Sequence, residues 1–362
     1  MKRETTALRI MLFLYILFCL ILAGLNQGPD KELARAVAPY WHAYENEGKT
    51  LLILVCGLLT HRITKAKGRN TMRSKNLRRF LLAALVLHIA LPIATANPEL
   101  YFFAMPLPWT TLPLQAGFEG SAFHQSHLQT LGLGGIRFLL RFFWVYSSFI
   151  AIGTVLFGRR LQCSSLCLFN GFAAEIFDPA IPLVGKKRKR ESEKTLSLLR
   201  ILRTFYLVLA LAFTLYWMLI PSIHELQRYI SPIKTLELFW YLGANLILAM
   251  AFWVAANGRF YCHLCPLGTT LALLAKLGGM RIRTNVSSCI GCGACDRACP
   301  LSISIQKQAK AGLPVHSFRC VGCGHCIDAC PKQTLRYETA FLSCLSGMEK
   351  NKEQVGGIVD AS

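Results

Sequence analysis

Apolar residues in this chain come in blocks divided by short, mostly basic gaps, and the lengths of the blocks decide the first reading. A helix needs roughly 20 apolar residues, and about 17 at the least, to cross a bilayer. Residues 8–25, behind Lys2, Arg3 and Arg9, reach that range, as do 80–96, 136–157, 201–220 and 236–256. The run 51–59 is shorter and reaches span length only with its flanks. The loop behind it argues for a span all the same. Residues 61–79 hold Arg62, Lys65, Lys67, Arg69, Arg73, Lys75, Arg78 and Arg79 and no acid, and such loops stay on the cytoplasmic side. Six spans with the amino terminus inside also put the run Lys186-Lys187-Arg188-Lys189-Arg190 inside. They leave 97–135, which has no Lys or Arg, outside.

An even number of spans returns the chain to the cytoplasm before Gly258. The pattern then changes. Residues 267–280 read as a helix lying at the membrane surface. A short cysteine pattern follows and is written twice: Cys289-x2-Cys292-x2-Cys295-x3-Cys299-Pro300, then Cys320-x2-Cys323-x2-Cys326-x3-Cys330-Pro331. This is the bacterial ferredoxin spacing for two [4Fe–4S] clusters, in which the fourth cysteine of each run serves the other cluster. One cluster then takes Cys289, Cys292, Cys295 and Cys330, and the other takes Cys320, Cys323, Cys326 and Cys299. Gly291, Gly293, Gly322 and Gly324 give the backbone freedom that such close wrapping requires. A zinc site presents cysteine pairs rather than this doubled quartet, and a disulfide scaffold would leave the repeat unexplained.

The predicted fold class is therefore membrane all-α, about six transmembrane helices, with a C-terminal bacterial-type 2[4Fe–4S] ferredoxin domain of α+β type. Its units are 1–135, an N-terminal membrane region with three spans; 136–257, a second three-span region; 258–284, a juxtamembrane cysteine motif and surface helix; 285–338, the ferredoxin domain; and 339–362, a polar tail. The formal net charge of +21 invites a nucleic-acid reading. The basic residues lie in the gaps between spans, without a nucleic-acid-binding pattern, so that partner is excluded. None of the fifteen cysteines falls in a segment placed outside, which fits a reducing cytoplasm.

A second set of thiols stands where two spans end. Residues 158–167 read Gly-Arg-Arg-Leu-Gln-Cys163-Ser-Ser-Leu-Cys167, and residues 258–266 read Gly-Arg-Phe-Tyr-Cys262-His-Leu-Cys265-Pro. Paired membrane-end cysteines followed by a two-cluster ferredoxin resemble the NapH/NosR group of polyferredoxin-like membrane iron–sulfur proteins, which also has copper-related CcoG-type members. The resemblance covers roughly 136–340. Members of that group carry Cys-x3-Cys-Pro at both helix ends; here Leu168 replaces the first proline, and the second pair is one residue closer. Three readings of Cys163, Cys167, Cys262 and Cys265 stay open: a third thiolate-bound metal centre, since soft thiolates suit iron or copper(I); a dithiol shuttle; or reduced structural thiols.

An electron carrier in a bilayer has the quinol pool at hand, and a quinol site needs a proton acceptor and polar contacts. His124 and His127 in the outer segment, with Arg137 and Arg141 at the outer end of the fourth span, are the candidates, beside His42, His88 and His224. The arginines also suit plain snorkelling to headgroups. No second mid-membrane histidine partners His88, which argues against a b-type haem held by this chain alone. The resemblance implies an electron-transfer subunit of a respiratory complex in the bacterial cytoplasmic membrane, with its amino terminus and ferredoxin domain inside. It would pass electrons between quinol and a partner redox protein, with quinol oxidation as its enzymatic side. The alternative is a CcoG-like copper-reducing or oxidase-assembly factor.

Overall fold

The computed structural model describes residues 2–26, 30–44, 48–66, 71–97, 100–178, 190–285 and 289–346. Lys67, Arg69, Lys186 to Lys189, the side chain of His42 and the tail beyond 346 lie outside the described residues.

The helices that matter are α1 (Lys2–Asn26), α2 (Lys31–Ala43), α3 (Lys49–Ala66), α4 (Thr71–Leu85, prolonged through Val86–Ala90 and Leu91–Ala94), α5 (Leu112–Gly117), α6 (Ala122–Phe157), α7 (Glu193–Leu219), α8 (Ile230–Phe239, prolonged through Trp240–Ile247 and Leu248–Ala255) and α9 (Pro266–Leu277). Among the described residues, five stretches are long and apolar enough to cross a membrane: Arg3–Leu22, Met72–Ala94, Ala122–Phe157, Glu193–Leu219 and His224–Trp253. The expected 51–59 span is helical as part of α3, but Lys49, Arg62 and Lys65 shorten its apolar stretch. It packs against α1 and α4 nonetheless, with Thr50, Cys56 and Thr60 buried. Within α6, Gly132 takes φ +66° and splits a lead-in turn from the span proper.

Two segments dip into the bundle. Residues 161–177 follow α6, and Phe172, Ala173, Glu175, Ile176 and Phe177 are buried among Leu8, Leu12, Cys56, Leu77 and Phe80. Gly258 permits this, because a Cβ there would overlap the Ala173 backbone. From the other end, residues 100–117 fold inward rather than staying outside. Leu100, Phe103 and Ala116 pack on Leu139 and Phe143 of α6, and the Trp109 ring meets Phe169 and Tyr241. This stretch has no Lys or Arg, so apolar burial meets no charge penalty.

The C-terminal unit is small. Strand β1 (Arg281–Thr284) pairs antiparallel with β2 (Leu335–Glu338), Ile282 facing Tyr337. Ile282, Leu301, Ile303, Ile305, Val315, Val321 and Leu335 form its core. The strand pairing starts the unit at 281, not 285. Residues 340–346 are helical rather than a loose tail, and buried Thr339 donates to the Leu156 carbonyl at 2.6 Å. The helix α9 buries Leu267, Leu271, Ala272 and Ala275 against α6 and α7 and exposes Leu273 and Leu277.

This unit sits on one end of the bundle. The backbone N–H groups of Met72 and Arg73, at the start of α4, donate to the Asp328 carboxylate at 3.0–3.1 Å, a capping carboxylate supplied from another domain. Asn76 donates to the Cys323 carbonyl at 2.8 Å, and Tyr337 to the Phe157 carbonyl at 2.8 Å. The Glu191 N–H, just before α7, donates to Ser302, and Asn257, just after α8, donates to the Pro300 carbonyl. So α4 and α7 start at the ferredoxin face, and α6 and α8 end there.

Candidate functional site

Three cavities lined by thiols follow one another from the C-terminal unit into the bundle. The first is lined by Cys289, Cys292, Cys295 and Cys330. The second is lined by Cys299, Cys320, Cys323 and Cys326. In each, the fourth cysteine comes from the other run. Gly291, Gly293, Gly322 and Gly324 all adopt positive φ, between 66° and 76°. That left-handed turn is what lets thiols three residues apart point at one centre.

The chemistry of these walls suits an iron–sulfur cluster. Burial pushes the Cys299 thiol up to about 11, against the pull of the Ile303 and Leu301 N–H groups. Burial likewise pushes Cys320 up to about 12, with the Gly322 N–H pulling the other way. Thiols so buried ionise when a metal takes the place of the proton. Burial also raises Cys330, yet hydrogen bonds from Thr334 and the 332–334 backbone outweigh it and hold that thiol below its ordinary value.

The third cavity is lined by Cys163, Cys167, Cys262 and Cys265, with Met105, Trp109 and Arg159 among its other walls. All four membrane-end cysteines therefore meet. Cys265 caps α9, its Sγ accepting from the Gly268 N–H at 3.3 Å. Burial pushes Cys262 up to about 12, against the charge of Arg259. Among the described residues, no three His, Cys, Asp or Glu side chains converge on one point as they would around a single ion.

A buried ionic hub fastens this cavity to the second. Glu175 is fully buried; Arg259 pairs with it at 3.0 Å, and Arg73 and His325 lie at 3.8 and 3.9 Å. Burial alone would raise the Glu175 carboxyl. His325, Arg259 and Arg73 outweigh it and hold the group down at about 2. Arg259 also donates to the Cys163 carbonyl at 2.5 Å. Arg159, only 2% exposed, donates to the Phe318 carbonyl at 2.7 Å, and Ser164 to the Val321 carbonyl at 2.8 Å.

At the far end of the bundle lies a second polar cluster. Glu237, buried in α8, accepts from Thr111, from Gln115 at 3.1 Å and from the Trp217 indole at 2.9 Å. His124 and His127 are both buried; their Nδ1 atoms lie 2.7 Å from the Ala116 carbonyl and 2.8 Å from the Phe123 carbonyl. Arg137 and Arg141 are exposed on α6, so burial separates them from the two rings. His88 meets Thr50 at 3.2 Å and stacks on Tyr101, and Asn245 accepts from Tyr261 at 2.6 Å.

Sequence reasoning missed Glu175, Glu237, Arg159 and Arg259. A lone acid inside an apolar span is itself a signal, and it points to Glu237. The doubled Gly-Arg step before each cysteine pair contains both arginines.

Residues 281–331 match the family model of the 4Fe-4S dicluster domain. The chain is similar to the methylamine utilization ferredoxin-type protein MauN of Methylobacillus flagellatus, 28% identical over 56% of this chain and 65% of that protein. It is also similar to a proposed electron transport protein, YccM, of Escherichia coli, 27% identical over 44% of this chain and 46% of that one. An uncharacterized protein of Methanocaldococcus jannaschii is 25% identical over 45% of this chain and 61% of its own length. The chain thus spans less than two thirds of each of these curated relatives. No solved structure matches it significantly. The findings place a 4Fe-4S dicluster domain behind apolar helices of membrane-spanning length.

Proposed function

We propose that the chain passes electrons between membrane quinol and a partner redox protein of a respiratory complex, from the cytoplasmic face of the bacterial inner membrane. The observation that carries this reading is the course of residues 105–116. Met105 and Trp109 wall the four-thiol cavity, while Thr111 and Gln115 bond the buried Glu237. One inward-folded segment thus joins the thiol-lined end of the protein to buried groups able to take protons.

Two [4Fe–4S] clusters, held by Cys289, Cys292, Cys295 and Cys330 and by Cys320, Cys323, Cys326 and Cys299, supply one-electron transfer when bound. Oxidising a quinol also releases protons, so a base must stand near the ring oxygens. Nδ1–H of His124 and of His127 donates to the Ala116 and Phe123 carbonyls, which leaves Nε2 as the atom of each ring that can accept a proton. Glu237 offers a second acceptor beside them, tied to His124 through α5. Arg137 and Arg141 would meet headgroups or ring oxygens from outside. The basic residues at the ferredoxin face, Arg73, Arg78, Arg79, Arg160 and Arg200 among them, support a cytoplasmic placement of that face.

The interface also bears on the bland alternative of a ferredoxin on an anchor. An anchor needs one helix, yet here four helix ends and a buried ionic hub hold the unit in one pose. The test is reduction of the purified protein by a short-chain quinol under anaerobic conditions, followed by electron paramagnetic resonance. Quinol should give the reduced-cluster signals, and H124Q with H127Q should slow their appearance. Signals raised by dithionite but never by quinol would overturn the reading.

A further inference from the structure

We propose that Cys163, Cys167, Cys262 and Cys265 hold a third [4Fe–4S] cluster inside the end of the helical bundle, next to the second ferredoxin cavity. This goes beyond the electron-transfer reading and does not depend on quinol as the donor.

Size is the first argument. The four-thiol cavity and the two ferredoxin cavities enclose the same space, about 20 Å³ each. All three have four cysteines in their walls. The four thiols line one space, as they do in the ferredoxin unit.

The wall repeats ferredoxin chemistry too. Cys265 precedes Pro266, as Cys299 precedes Pro300 and Cys330 precedes Pro331. Its sulfur accepts from the Gly268 N–H. N–H groups aimed at sulfur stabilise a negatively charged cluster and raise its potential.

Charge is the third argument. Four thiolates around a cubane carry a net negative charge, which a buried site must balance. Arg259 already has Glu175. Among the described residues no carboxylate pairs with Arg159: its hydrogen bonds go to the Phe318 and Cys320 carbonyls, and its buried Nε meets no acceptor there. Arg159 lines the cavity, and its Nη2 would lie 2.7 Å from a Cβ on Gly268. A guanidinium 2% exposed and facing four thiols is the counter-charge that such a cluster requires.

Place is the fourth. Cys163 and Cys262 pack in the same apolar cluster as Cys320, Cys323 and Cys326. A centre at the third cavity would thus lie beside the second, to which Arg159 and Ser164 bond through the Cys320 and Val321 carbonyls.

The experiment is iron and acid-labile sulfide analysis, with Mössbauer spectroscopy, on the whole chain purified anaerobically in detergent. The wild type should carry about twelve iron atoms, and C262S/C265S should carry about eight, with the ferredoxin signals kept. Because the double variant could misfold, the wild type is also alkylated before and after cluster destruction by ferricyanide. The four thiols should react only afterwards. About eight irons in the wild type, thiols alkylated in the native protein, or one copper or zinc released from these cysteines would each overturn the proposal.

Discussion

Glu175 lies in Phe-Ala-Ala-Glu-Ile-Phe, an apolar stretch broken by one acid that composition alone leaves without a purpose. Its place in the fold gives it one, because it neutralises Arg259 where no water reaches either side chain. Removing one partner of a buried pair costs about 3–5 kcal/mol. E175Q should therefore lower the thermal midpoint of the detergent-solubilised protein and release the C-terminal unit first, as read by tryptophan fluorescence and proteolysis. Acid should do the same to the wild type. The carboxyl is held at about 2 against an ordinary 4.5, so its stabilisation is whole above pH 4.5 and fades as pH falls toward 2. E175Q should show no such loss in that window. At Gly258, alanine would meet the Ala173 backbone, and overpacking of this kind costs about 1–3 kcal/mol; a lower midpoint with unchanged iron content at room temperature is the expected result. At this scale the eight ferredoxin cysteines were readable because their spacing is local. Glu175 and Arg159 were not, since their partners lie far away in sequence.

Among the elements, α4 depends on a residue more than two hundred positions later. Its first N–H groups have no partners within the helix, and Asp328 accepts from two of them. Replacing an acidic cap by alanine costs about 0.5–2 kcal/mol. D328A should thus speed hydrogen exchange at Met72 and Arg73 by about 2- to 30-fold, while amides in the middle of α7 keep their rates. Hydropathy made the long helices legible and misjudged two other elements. The 97–135 segment, charge-poor, reads as an outer loop; its aromatic residues in fact fill the bundle between α6 and α8. The strand 281–284 was invisible because four residues with two arginines carry no pattern until β2 pairs with them.

The whole molecule is a bundle closed at one end by its redox unit. Its fold class was readable from block lengths and one doubled motif, and the matching Gly-Arg steps at two helix ends already suggested that the two cysteine pairs face one another, although they lie about a hundred residues apart. If the bundle takes part in the transfer, its helices cannot be exchanged for a plain anchor. A chimera carrying residues 278–346 on one unrelated helix should still be reduced by dithionite and lose all response to quinol. A chimera that answered quinol at the wild-type rate would reduce the bundle to a tether.

The trans-acting carboxylate at the head of α4 has a consequence for biogenesis. Asp328 leaves the ribosome after the five candidate spans, so during synthesis the start of α4 waits, uncapped, for a stretch not yet translated. That stretch lies in the 4Fe-4S dicluster domain. In iron-starved cells the newly made chain should therefore show an exposed α4 entrance and be degraded sooner, although every span has already been inserted.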